Sequence, residues 1–148
     1  MKINIRHETH GSALAQIVED GSFTALNKAS DKRGHYQVNH DRRLLIKRST
    51  TGPEDWQFTF SERDLDVLRD DLQNDVRVFA CLVCAGETIC ALDADQIRQL
   101  INVDDESTKS IIVTTPPEPR TSMRVRGTDG ELEGTVAHSA FPEKVFLE

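Results

Sequence analysis

The ten residues Val76-Arg-Val-Phe-Ala-Cys-Leu-Val-Cys-Ala85 form the only sustained apolar run in the chain, set between Asp75 and Gly86. The run is rich in β-branched and aromatic side chains, lacks proline, and is far too short to span a bilayer. It predicts a strand buried on both faces. A chain that holds such a strand must wall it in from either side. The 148 residues suffice for one domain with a core of its own, without metal or disulfide staples.

The flanking segments supply those walls. Residues 2–6 alternate as a short strand would, with Ile3 and Ile5 on one face. His7 to Gly11 reads as a turn, and Ser12 as the cap of a helix carrying Leu14, Ile17 and Val18. His35–Asn39 and Arg43–Arg48 read as two strands of a hairpin across His40-Asp-Arg42. Trp56, Phe58 and Phe60 share one face of a third strand. Ser61-Glu-Arg-Asp64 is a strong helix start, with Leu65, Leu68 and Leu72 as the buried stripe.

Beyond the central run, Ile89–Leu92 is a strand and Asp93 caps a helix over 94–101. Lys109–Thr115 and Ser122–Arg126 are further strands. Pro116-Pro117-Glu-Pro119 is a stiff spacer. Thr128-Asp-Gly130 turns the chain back into 131–137, and Phe141 and Phe146 anchor the end. The expected fold is a single α+β domain over residues 1–148. It has a mixed central sheet flanked by helices, built from 1–85, and an antiparallel, hairpin-rich extension of the same core over 86–148.

The net charge of −7 argues against a general charge-driven grip on nucleic acid or an anionic membrane, and leaves room for a local basic surface. The N-terminus lacks the apolar core of a secretion signal. Three cysteines, all in or beside the central strand, read as reduced thiols. Cytoplasm is therefore the expected compartment, with no membrane association.

Cys81, Cys84 and Cys90 have a spacing that invites a metal reading. In a strand, however, Cys81 and Cys84 point to opposite faces and cannot share an ion. No metal site is expected. His7 and His10 are spaced by three, not by the four of helical zinc proteases, and read as turn residues. His35, His40 and His138 are isolated. No nucleophile elbow or phosphate-cradling glycine loop is present.

Charge is distributed unevenly along the chain. Bases dominate from Lys28 to Arg48 and acids from Glu54 to Asp75. One consequence would be a basic hairpin and an acidic helix that attract each other. The other would be a basic surface for a phosphate-rich or acidic partner, formed by Arg42, Arg43, Lys47 and Arg48, with Tyr36 available for stacking.

The order helix, strands ending in Lys47, helix, strand resembles the core of the restriction-endonuclease-like (PD-(D/E)xK) nucleases, over about the first 85 residues. The resemblance implies carboxylates that hold Mg²⁺ and a lysine that places the attacking water. Here the matching tripeptide is Leu45-Ile46-Lys47, with Glu19 at the helix position and Asp41 as the nearby acid. Leu45 stands where the second carboxylate belongs, so the resemblance implies a non-cleaving relative.

The leading expectation is thus a non-enzymatic binding or interaction module that needs no cofactor. Its partner would be a protein or a nucleic acid, and an exposed strand edge could pair two copies. The alternative is a Mg²⁺-dependent nuclease with a displaced carboxylate, using Glu19, Asp41 and Lys47.

Overall fold

The computed structural model describes residues 2, 4–74, 76–105, 107–116 and 122–147. The chain opens with helix α1 (Ile5–Glu19), where the sequence predicts a strand, a turn and a shorter helix. Asn4 is the cap, and its side chain accepts from the His7 amide at 2.9 Å. Ser12 lies inside the helix and its hydroxyl donates back to the Thr9 carbonyl. Gly11 costs a helix interior about 1 kcal/mol. Burying Ala13 and Ile17 against the sheet more than offsets that, since a fully buried Ile contributes about 2 kcal/mol alone.

The chain continues through β1 (Leu26–Lys28), β2 (His35–Val38), β3 (Arg42–Ser49), β4 (Asp55–Phe60), α2 (Glu62–Gln73), β5 (Arg77–Cys84) and β6 (Thr88–Asp93). Then follow α3 (Ala94–Leu100), β7 (Lys109–Thr114), β8 (Ser122–Gly127), β9 (Gly130–Glu131), β10 (Val136–Ala137) and α4 (Glu143–Phe146). Most of the proline spacer, 117–119, lies outside the described residues.

Two sheets result. The first runs β1-β2-β3-β5-β6 and is mixed: β3 and β5 are parallel, and the other pairs antiparallel. The second runs β10-β8-β7-β4 and is antiparallel, with β9 added to β8. This is the α+β architecture expected from the sequence, with two rearrangements. Strand β6, from the stretch expected to belong to the hairpin-rich extension, pairs with β5 and edges the first sheet. Strand β4 leaves the hairpin that precedes it and pairs with β7, Trp56 opposite Val113 and Phe58 opposite Ile111.

Strand β5 is the buried centre. Alternate residues feed two clusters. Val78, Ala80, Leu82 and Cys84 join Leu45, α2, α3 and the aromatic face of β4 in a cluster shared by both sheets. Phe79, Cys81 and Val83 join Leu44, Ile46, α1 and α4 on the other face. Cys81 and Cys84 therefore lie in opposite clusters, and all three cysteines are free and buried. Burial raises the Cys81 and Cys84 thiols to about 12, and raises Cys90 too. They are packing residues with no thiolate at neutral pH.

Helix α2 forms as its sequence dictates. Ser61 and Asp64 make a reciprocal capping box, and Leu65 and Leu68 are buried. Two acids on this helix, Asp64 and Asp71, are also buried. Their partners come from the first sheet and define the surroundings of the candidate site.

Candidate basic groove

Strand alternation divides the bases of the β2–β3 hairpin between the two faces of the sheet. Arg43 and Lys47 point toward α2. Lys47 Nζ donates to Asp64 Oδ2 at 2.6 Å and lies 5.4 Å from the Phe60 ring centre. Lys32, from the loop before β2, places its ammonium 2.9 Å from Asp64 Oδ1. No aligned hydrogen bond reaches that oxygen, so the Lys32 contact is an ion pair.

Burial alone would push the Asp64 carboxyl up. The Lys47 hydrogen bond and the Lys32 ammonium outweigh it and hold the group below its usual range. Asp64 thus neutralises two lysines with one charge while capping α2.

About two turns further along α2, Asp71 accepts from His35 Nε2 at 2.6 Å and from Arg43 at 3.1 Å. His35 Nδ1 faces Ser30 Oγ at 2.8 Å, and that oxygen accepts the Lys32 amide. The residue types are those of a nucleophile relay. The ring nitrogens, however, are reversed relative to that arrangement, and the His35 side chain is only 3% exposed. The chain Ser30–His35–Asp71 tethers the 30–34 loop to α2.

The remaining bases face the other way. Arg42 is buried; its Nε donates to the Val145 carbonyl at 2.6 Å and another nitrogen to Asp41, clamping α4 to the sheet. Arg48 is exposed. Of the expected contact residues, then, Arg42, Arg43 and Lys47 are engaged internally, and the attraction between basic hairpin and acidic helix is what the fold displays. Arg48 and the half-buried Tyr36 stay accessible, on the α1 side.

On that side two adjoining hollows open between α1, the 28–36 loop and β3. They share Arg6, His10, Lys32 and Arg33. The larger, about 490 Å³, adds His7, Leu14, Lys28 and Tyr36; the smaller is bordered by Lys47 and Arg48. Asp31 is the single acid on either lining. Arg33 and Arg48 make no ion pair with any described residue.

Burial pushes the His10 imidazole down, and Arg6, His7 and Lys32 lower it further. The Tyr36 hydroxyl and His10 Nδ1 share a hydrogen bond of 3.2 Å. The two rings meet edge to face, 5.8 Å apart.

Gly34 makes this groove possible. Its φ of +86° is open to few side chains. A Cβ there would lie 2.7 Å from the Ile46 carbonyl and 3.3 Å from His10 Nε2. The loop can therefore press onto both β3 and α1, with Gly34 also accepting the Ile46 amide at 2.8 Å. Reading 7–11 as a turn concealed Arg6, His7 and His10. Their signal was Asn4, a residue type that favours the N-cap position.

The residues named for a metal-dependent cut do not converge. Asp41 and Lys47 lie near opposite ends of β3, about 20 Å apart at some 3.3 Å per residue. Glu19 is exposed at the C-terminal end of α1, on the sheet face opposite the one Lys47 points to. Among the described residues no group of three His, Cys, Asp or Glu side chains could hold a metal ion. No family model matches the chain, and searches of curated proteins and of solved structures return no match.

Proposed function

We propose that this protein is a non-enzymatic binding module that holds a phosphate-rich polymer in the groove between α1 and the 28–36 loop. The observation that supports it is charge placement. A chain of net charge −7 sets Arg33 and Arg48, neither ion-paired to any described residue, in one concave region with Arg6 and no acid on its lining. A solvated charged face would intersperse both signs; a concave patch of one sign focuses potential on a counter-ion.

The reading extends to descent from a non-cleaving relative of the restriction-endonuclease-like nucleases. In its support, α1 and the β1–β2–β3 meander are followed, after β4 has left for the second sheet, by α2 and a β5 parallel to β3. Binding of this kind requires no metal.

The test is a titration of a labelled oligonucleotide over a series of salt concentrations. Wild type should bind with log K falling linearly in log salt, by nearly one unit of slope per phosphate contacted. The double variant Arg33→Glu/Arg48→Glu should bind far more weakly, with a shallower slope. Unchanged binding by that variant would contradict the proposal. So would cleavage of plasmid in Mg²⁺ that disappears in Lys47→Ala, which would restore the nuclease reading.

A further inference from the structure

The groove has two chemistries, and together they select among polyanions. Its rim is basic, with Arg6, Lys28, Lys32 and Arg33. The larger hollow also presents Leu14, His10 and Tyr36, the Tyr36 ring partly packed against the core beneath. A uniform polyanion such as polyphosphate would match the rim and find nothing to offer the apolar floor. A duplex offers phosphates but keeps the faces of its bases stacked inside. An unpaired nucleotide offers both: a charged phosphate, and a flat apolar face that stacks on an aromatic ring.

Taking the basic groove as the binding site, we propose that its ligand is single-stranded nucleic acid, with one base seated in the hollow against Tyr36 and the neighbouring phosphates on Arg6 and Arg33. The hollow's volume, about 490 Å³, falls within the range of sites that enclose one small molecule. It therefore accommodates a base at one point along a strand. The Tyr36 hydroxyl is tethered to His10 at 3.2 Å, so the ring is restrained before the ligand arrives and little side-chain freedom is lost on binding.

The experiment compares three ligands by fluorescence anisotropy at one salt concentration and at equal concentrations of phosphate groups: a mixed-sequence single-stranded 12-mer, the same sequence as duplex, and polyphosphate. The single strand should bind at least tenfold more tightly than the other two. Tyr36→Leu should weaken the single strand about tenfold or more and leave polyphosphate binding unchanged. A 2-aminopurine placed in the strand should change its emission on binding to wild type, a readout that needs no variant and so survives if Tyr36→Leu fails to fold.

Equal binding of all three ligands, with no 2-aminopurine response, would overturn the single-strand inference and leave the basic groove standing. Preference for the duplex would also overturn it. Binding of none of the three would overturn both the inference and the reading it rests on.

Discussion

At Asp64 one negative charge caps α2 and restrains both Lys32 and Lys47. Asp64→Ala should cost about 2–4 kcal/mol, read as a drop in the urea midpoint. The lost cap supplies about 1 kcal/mol, and the rest comes from two half-buried ammonium groups left without a partner. Because the folded-state carboxyl sits below its unfolded value, its contribution is fully present above about pH 4. It is lost as pH falls through the folded value, so wild type should lose stability below pH 4 more steeply than Asp64→Asn.

His10 works in the opposite direction on binding. Burial and the surrounding bases keep it neutral in the free groove at pH 7. A bound phosphate would favour its protonated form. The complex then holds more protons than the free protein, and affinity should rise as pH falls from 7.5 to 5.5. His10→Gln should flatten that dependence; an unchanged pH profile in the variant would place His10 outside the site.

At the scale of elements, the 28–36 loop is positioned by one backbone conformation. Gly34→Ala should destabilise by at least 1–2 kcal/mol, since it combines an unfavourable φ with a 2.7 Å approach to the Ile46 carbonyl. It should also weaken oligonucleotide binding more than Arg33→Ala does, because it displaces Lys32 and Arg33 together. Elements with local signals were legible in the sequence: α2 from its capping box, β5 from its apolar run, the β2–β3 hairpin from its turn.

Of helix α1 only the second half, from Ser12 on, was legible in that way. Gly11 and Ser12 read as a break, and only tertiary burial of Ala13 and Ile17 overrides them. The pairing of β4 with β7 was hidden for a different reason. Alternation shows which face of Trp56-Gln-Phe-Thr-Phe60 is buried, and nothing local shows which sheet receives it. The candidate site was legible as charge on a hairpin. Which bases were consumed depended on Asp64 and Asp71 arriving from α2, and which remained depended on the register of α1.

For the whole molecule, the cluster shared by the two sheets should make them unfold as one cooperative unit. Phe58, 1% exposed, joins β4 to the face of β5. Phe58→Ala should cost about 3–5 kcal/mol, and far-UV and Trp56 fluorescence transitions should still coincide. Separate transitions would mean that the second sheet folds independently. None of the helices described is long and apolar enough to cross a membrane. Helix α2 exposes Glu62, Asp66 and Asp70 beside Arg63, whereas Lys28, Arg33 and Arg48 are exposed on the α1 side of the first sheet.

A second basic patch, Arg124 and Arg126 on β8, lies across the molecule with Glu131 and Glu133 beside it and Asp55 3.7 Å from Arg126. The most direct measurement therefore asks where a ligand sits: amide chemical shifts of the labelled protein, followed while a single-stranded oligonucleotide is added. Perturbations should gather on 5–11, 28–36 and 46–48. Shifts confined to 122–133, or none at saturating oligonucleotide, would contradict the assignment of the groove.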